Sequence, residues 1–467
     1  MLRICSSKNQ KYLKKDKKYF RSFYTNVFSK WGLSMYKQSK FNYSTTNYRG
    51  ELLLFNSVMG ERSMCKLSNS AHIEEFKSKK PISDESVMSK LIEREIYVQN
   101  DLDENDKLYS IITSVTNPSD LTLSISLTEK CNFSCVYCYE SGALGLIDEK
   151  TQQTIIDFVK HNIHKYSGLN INWFGGEPLL ALDVIENLSK EFMQICTFNR
   201  RRYSASITTN GYNLTLDVFK KLLKNRIFDY QITIDGTKEI HDAQRPTKDG
   251  KPTFDRIVTN IKNIKGLPQQ NFRIVLRSNL TQTIFAHLDE YIDFISEICG
   301  DDNRFNLSIC YASKWSDNLD EKVTKNFIYN RDSITVLYDR LLEENKKIEI
   351  ASGLTPEHGG CAYGKSNRFF IRPNGELHKC SVKFENSKNI VGEFLNGSIK
   401  LHDNYYKKNI KPQKCTRLED CFFAPICKGE VCPSARTDGE SICPDTKKHL
   451  HYLLQLLDNN GHFTVLD

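Results

Sequence analysis

The stretch Cys131-Asn132-Phe133-Ser134-Cys135-Val136-Tyr137-Cys138-Tyr139-Glu140 sets three thiols at a CxxxCxxC spacing directly after the alternating run LTLSISL of residues 121–127. Alternation of apolar and polar residues reads as a strand, so the thiols sit on a loop at a strand's carboxyl end. That loop can wrap one inorganic cluster. Three thiolates with no fourth Cys or His at ligand spacing leave a four-iron cluster one coordination position short. Structural metal sites are normally closed, and an open position is the mark of chemistry. A zinc loop is the competing reading of a CxxC pair, and the surrounding chain decides between the two.

Outward from this loop, residues 121 to about 350 alternate short apolar strands with helical patterns. LTLSISL, INWF, SASITT, YQITID, FRIVLRSNL and FNLSICYA are the strands; TQQTIIDFVKHNI, VIENLSKEFMQIC, LDVFKKLLK, FDRIVTNIKNIK, HLDEYIDFISEIC and SITVLYDRLLEEN are the helices. Six βα repeats make an α/β fold, a parallel sheet curled into a partial (β/α)6 TIM-like barrel over residues 118–350, with its site at the carboxyl ends of the strands. Asn172-Trp173-Phe174-Gly175-Gly176-Glu177-Pro178-Leu179 closes the second strand. Its glycines let the backbone approach a ligand, and Glu177 can accept a hydrogen bond from an ammonium group. The fourth strand ends in Ile232-Thr233-Ile234-Asp235-Gly236, followed by His241, Asp242 and Arg245; Arg277 and Asn279 lie on the fifth. A charged Arg in a barrel strand needs a partner, so a structural ion pair competes with a ligand contact there.

After residue 350 the βα rhythm stops and cysteines return: Cys361, Cys380, Cys415, Cys421, Cys427, Cys432 and Cys443, with Pro373-Asn374-Gly375 reading as a hairpin turn. Of fifteen cysteines, ten fall into two ligand-like groups, and Cys5, Cys65, Cys196, Cys299 and Cys310 are scattered like ordinary buried thiols. With no secretory pattern, this usage points to metal ligation in a reducing, cytoplasmic compartment. A double zinc site is the competing account of the second group.

The 467 residues suggest about three domains. A hydrophobic content of 39%, with no apolar run near the roughly 20 residues of a membrane span, argues against a membrane protein. The net charge of +8 is local: residues 1–34 carry nine Lys or Arg against one Asp. The remainder is neutral, which argues against nucleic-acid binding. Residues 1–34 read as a disordered arm, or as sequence upstream of a start at Met35. Residues 37–105 read as three strands (FNYSTTNY, ELLLFNSV, RSMCKLS) and two helices (AHIEEFKS, SDESVMSKLIERE), the second opened by Ser83. That order makes a small α+β, winged-helix-like module, either a peptide-recognition unit whose exposed edge accepts an added strand or a structural cap.

The CxxxCxxC, with Tyr137 before its third Cys, resembles the signature of the radical S-adenosylmethionine (radical SAM) enzymes. The resemblance implies that Cys131, Cys135 and Cys138 hold a [4Fe-4S] cluster whose free iron chelates SAM. It further implies SAM contacts from Tyr137, from Gly175, Gly176 and Glu177 at the amino group, and from Thr233, Arg277 and Asn279. The later cysteines resemble the SPASM extension, here residues 355–450, whose two auxiliary clusters bring the implied [4Fe-4S] count to three. By matched position Cys361, Cys380 and Cys432 hold one of them, and Cys415, Cys421, Cys427 and Cys443 the other. The usual C-x2-C-x5-C-x3-C stands here as C-x5-C-x5-C-x4-C, a departure that lengthens one loop. The module resembles the amino-terminal domains of peptide-modifying members of that family. Together these imply a maturase that cross-links a ribosomally made precursor peptide through a thioether or carbon–carbon bond, with flavodoxin or ferredoxin as electron donor. A sulfatase-maturing enzyme is the enzymatic alternative, although Ser381 stands where that branch has Asp. A non-catalytic electron carrier or zinc scaffold would leave Gly175-Gly176-Glu177 without a role.

Overall fold

The computed structural model describes residues 35–300, 302–314, 319–328, 334–343, 354–356, 364–383, 386–395, 397–403, 405, 415–429 and 443–467. The basic arm, Cys361 and Cys432 lie outside the described residues. Among the described residues no helix is long and apolar enough to cross a membrane.

Strands β1 (Tyr36–Gln38), β2 (Asn42–Thr46), β3 (Leu52–Asn56), β4 (Gly60–Leu67) and β5 (Tyr97–Gln99) precede the barrel strands β6 (Leu121–Ser126), β7 (Gly168–Phe174), β8 (Arg202–Thr209), β9 (Ile227–Thr233), β10 (Arg273–Leu280) and β11 (Phe305–Tyr311). Then follow β12 (Arg368–Ile371), β13 (Leu377–His378), β14 (Ile390–Leu395), β15 (Ser398–Leu401) and β16 (Thr464–Val465).

β6 to β11 lie side by side in sequence order, all parallel. In β6, Leu121, Leu123 and Ile125 are fully buried within one apolar cluster that also holds Phe158, Phe192, Phe219, Ile257 and Tyr291 of the surrounding helices. Two of those helices start at a side-chain cap: Asp148 accepts from Thr151 N ahead of Glu149–Asn162, and Thr215 from Val218 N ahead of Leu216–Lys224.

Parallel strands in α/β proteins are usually apolar on both faces. Here the inner face carries Ser124, Asn172 and Ser206 in register. Asn172 Nδ2 donates to Ser124 Oγ (3.1 Å), and Ser206 Oγ donates to Asn172 Oδ1 (2.6 Å). This hydrogen-bonded row forms part of the wall of a hollow inside the sheet.

The cysteine-rich extension begins as part of this sheet. β12 pairs parallel with β6, and β13, β14 and β15 continue antiparallel beyond it. The expected turn at Pro373-Asn374-Gly375 joins β12 to β13, with Gly375 at φ +83° and Gly375 N bonded to Arg372 O (2.9 Å).

In the amino-terminal part, β2, β3 and β4 form an antiparallel sheet. Helix α1 (Ser70–Lys77) is capped by Asn69, and helix α2 (Glu85–Glu93) by Asp84 rather than Ser83. All five residues of β3 are buried because the sheet is covered on both faces. Leu52 and Leu54 pack toward Phe76, Val87, Met88 and Leu91 of α1 and α2. Leu53 and Phe55 pack toward Leu453, Leu454 and Leu457 of the distant helix Leu450–Asn459. Lys66 ties the two parts together, reaching Glu51 at 2.8 Å and Asp458 at 3.0 Å. The sequence pattern predicts three strands with an open edge. β16 adds a fourth strand, parallel to β4, and β2 remains the open edge among the described residues.

Candidate functional site

The segment Thr128–Lys130, which leads into Cys131, runs against the turn after β7. Gly176 N donates to Thr128 O (2.9 Å) and Glu177 N to Lys130 O (3.0 Å). This contact explains both glycines. A Cβ on Gly175, at φ +131°, would stand 2.2 Å from Thr128 O, and one on Gly176 would stand 2.6 Å from the carbonyls of Glu129 and Lys130. The space expected to receive a ligand is taken by the thiol loop's own backbone, although the two glycines also line the cavity below. On its far side the loop is held by residues 244–248: Ser134 N donates to Pro246 O (2.9 Å), Val136 N to Gln244 O (3.0 Å) and Lys248 N to Asn132 O (3.0 Å).

Cys131, Cys135 and Cys138 open onto one cavity of about 950 Å³, which also meets Tyr137, Gly175, Gly176, Thr233, Arg277 and Asn279. Of the residues expected to contact SAM, only Glu177 does not line it. Burial pushes the thiols of Cys131 and Cys135 up to about 11, so each is protonated unless a cation stabilises the thiolate. Each of the three thiols lies within electrostatic range of another. Among the described residues no three Cys, His, Asp or Glu side chains converge closely enough to hold a metal ion. The donor set nevertheless fits an iron–sulfur cluster better than a closed zinc site. It offers three soft ligands on one loop that opens onto a large cavity.

Tyr137 is anchored rather than free. Its hydroxyl is bonded to Asp235, Arg245 NH1 donates to it at 2.6 Å, and Asn279 Nδ2 at 3.1 Å. Asp235 is fully buried and accepts from Asn279 N (2.7 Å), with Arg245 3.6 Å away and only 6% exposed. Arg245 also stacks over Phe133 of the thiol loop. The structure thus puts a buried cation beside the three thiols, a feature that no local sequence pattern announces. Arg277 donates to Asn279 Oδ1 (3.3 Å) and, among the described residues, forms no ion pair; its guanidinium opens onto the cavity.

Glu177 stands apart from the role expected for it. Its carboxylate is fully buried and turned away from the hollow. Oε1 accepts from Leu179 N (3.0 Å) and Thr209 Oγ1 (2.7 Å), and Oε2 from Asn210 N (2.7 Å). The side chain brackets the glycine turn to the end of β8. In that position Asn210 donates to Asn132 Oδ1 (2.8 Å) on the thiol loop.

The extension reaches the same cavity. Arg372 of the β12–β13 hairpin bonds Glu129 Oε1 through Nε (2.8 Å) and NH2 (2.6 Å), bracing the approach to Cys131. The turn at Cys380 is held by Asn389 (2.9 and 2.8 Å), and the neighbouring Ser381 and Val382 line the hollow. Cys310 lines it too, although its isolation in the sequence groups it with scattered thiols. Cys415, Cys421 and Cys427 belong to the apolar cluster around Phe423. Lys447 Nζ donates to Cys421 Sγ (3.1 Å) and also lies within electrostatic range of Cys427 and the exposed Cys443.

Residues 125–299 match the model of the Radical SAM superfamily. The chain is 24% identical over 324 residues to the mycofactocin maturase MftC of Mycolicibacterium smegmatis, covering 66% of this chain and 77% of that one. It is 28% identical over 183 residues to the cysteine-type anaerobic sulfatase-maturating enzyme of Clostridium novyi, covering 36% of this chain and 46%, about half, of that one. The solved structure of native anSMEcpe with bound AdoMet and the Kp18Cys peptide superposes with a TM-score of 0.54 at 18% identity, over 73% of this chain and 99% of that chain. The last match establishes the shared fold.

Proposed function

We propose that this chain, whose residues 125–299 match the Radical SAM superfamily, is a maturase that closes a thioether or carbon–carbon cross-link in a ribosomally made precursor peptide. One observation carries the reading. The three thiols, the glycine turn, the polar inner wall of the sheet and the turn at Cys380 all open onto a single cavity of about 950 Å³, roomy enough for a cofactor and a peptide side chain together. Cys131, Cys135 and Cys138 would hold a [4Fe-4S] cluster. With SAM bound, such a cluster would supply 5'-deoxyadenosyl radical chemistry, given an electron from a flavodoxin- or ferredoxin-like donor.

The chain's own residues do the rest. The backbone around Gly175 and Gly176 and the side chains of Thr233, Arg277 and Asn279 orient SAM. Arg277, which forms no ion pair among the described residues, meets its carboxylate. Arg245 and Tyr137 hold the thiol loop against Asp235. We assign Cys361, Cys380 and Cys432 to one auxiliary cluster and Cys415, Cys421, Cys427 and Cys443 to a second.

Formylglycine formation is the second reading, favoured by the sulfatase-maturating relative; Ser381 stands at the cavity wall where that branch has Asp, although Glu140 and Asp229 line the same cavity. Mass spectrometry on a Cys-containing peptide treated with the reconstituted enzyme separates the two. Loss of two hydrogen atoms with sulfur retained supports the cross-link. Loss of sulfur with gain of oxygen supports formylglycine and overturns it.

A further inference from the structure

The second group of cysteines lies where sulfur is offered hydrogen-bond donors. Cys415, Cys421 and Cys427 sit in or against the apolar cluster around Phe423, and Cys443 stands just ahead of the short helix Asp445–Lys448. Lys428 and Gly429 turn the chain with φ of +53° and +71°, and Gly429 N donates to Cys427 Sγ (3.4 Å). The same glycine packs on Cys415, since a Cβ there would stand 3.6 Å from the Cβ of Cys415. Lys447 Nζ donates to Cys421 Sγ (3.1 Å). A neutral thiol among apolar side chains needs no donor, whereas a thiolate bound to a metal accepts such bonds. The donor set therefore fits the iron–sulfur cluster assigned to it.

Lys447 is held rather than loose. Its ammonium lies 5.6 Å from the centre of the Phe422 ring. That ring stacks on Tyr43 of β2, with 5.0 Å between centres, and Ser57 Oγ bonds Phe422 O. The neighbouring Lys448 is exposed and pairs with Asp445 (3.5 Å). Two adjacent lysines thus differ: one is solvated, and the other is placed between an aromatic ring and a thiol. Reduction of an iron–sulfur cluster adds negative charge, so a cation donating to a ligating sulfur stabilises the reduced form more than the oxidised one and raises the potential.

We propose that Lys447 raises the reduction potential of a cluster held by Cys415, Cys421, Cys427 and Cys443, and that Phe422, pinned by Tyr43 and Ser57 of the amino-terminal part, is the residue that positions it. This rests on the assignment of those four thiols to a second auxiliary cluster.

The full chain carrying Cys131→Ala, Cys135→Ala, Cys138→Ala and Cys380→Ala keeps only this thiol set intact. Reconstituted with iron and sulfide, it is titrated potentiometrically with detection by electron paramagnetic resonance. Adding Lys447→Met should lower the reduced-to-oxidised ratio at a given potential about tenfold or more, a shift of about 59 mV for one electron. Lys447→Arg, which keeps a cationic donor, should stay near the parent, and Lys448→Met should leave the potential where it was. Phe422→Leu should lower it in the same direction, which keeps the test valid if Lys447→Met loses its cluster. An unchanged potential in Lys447→Met, or in Phe422→Leu where the former loses its cluster, overturns the role of Lys447 and leaves the cluster assignment standing; so does an equal fall in Lys448→Met. A parent chain that takes up no iron overturns the assignment and this role with it.

Discussion

Glu177 is the residue whose surroundings add most to its sequence context. Its position after two glycines suggests a side chain pointing at a ligand, yet three donors, from Leu179, Thr209 and Asn210, hold its oxygens inside the protein. Replacing it by Gln turns an acceptor into a donor facing a backbone N–H, at a cost of about 1–3 kcal/mol for the buried group left unmatched. Glu177→Gln should therefore lower stability in chemical denaturation while changing SAM affinity less than the Arg277 variant does. Unchanged stability with SAM binding lost would reverse the assignment. Arg277→Gln should do the opposite: unaltered melting, with SAM affinity in equilibrium dialysis weakened about ten- to a hundredfold, the worth of one charge-assisted hydrogen bond. The spacing of cysteines is readable because ligand loops are local. Where Glu177 points is not, because the partners that fix it come from the end of β8, some 30 residues on.

The strand-to-helix turns decide how the loops meet. Gly176→Ala would drive a methyl group to 2.6 Å from two carbonyls of the segment entering Cys131, so the turn and the thiol loop must separate. Iron content after reconstitution should fall well below that of the unaltered chain, and full iron loading in that variant would refute the coupling. The same strands show what a sequence can disclose when its pattern is taken further. The alternation in LTLSISL marks a strand, and of its polar half Ser124 lines the hollow. Glu51 offers a pH test of the contact between β4 and the helix Leu450–Asn459. Hydrogen bonds from Lys66 and Asn47 hold its carboxyl down to about 2. A lowered acid contributes stability above its unfolded value, and that contribution is lost as pH falls from about 4.5 toward 2. Thermal melting over that window should drop less steeply for Glu51→Gln than for the unaltered chain.

The parts of the molecule are interleaved more than the order of motifs implies. The amino-terminal sheet takes a covering helix and a fourth strand from residues 450–466, and the barrel sheet takes β12 from the cysteine-rich extension. The sequence reveals the barrel because six βα repeats are consecutive. It conceals these exchanges because a strand of two residues, or a helix packed against a sheet some 400 positions away, leaves no periodic trace near its partner. Removing residues 35–105 should consequently strip the cover from Leu453, Leu454 and Leu457, and limited proteolysis should then cut within 450–467. A truncated chain resistant there would show that the two ends fold apart. The claim on which everything else depends is that the thiol loop and the cavity it faces carry out SAM chemistry. Anaerobic reconstitution with iron and sulfide, followed by dithionite and SAM, tests it most directly by quantifying 5'-deoxyadenosine. The unaltered chain should release it and Cys135→Ala should not; a chain fully loaded with iron that releases none, or one that releases it equally well without Cys135, would contradict the account.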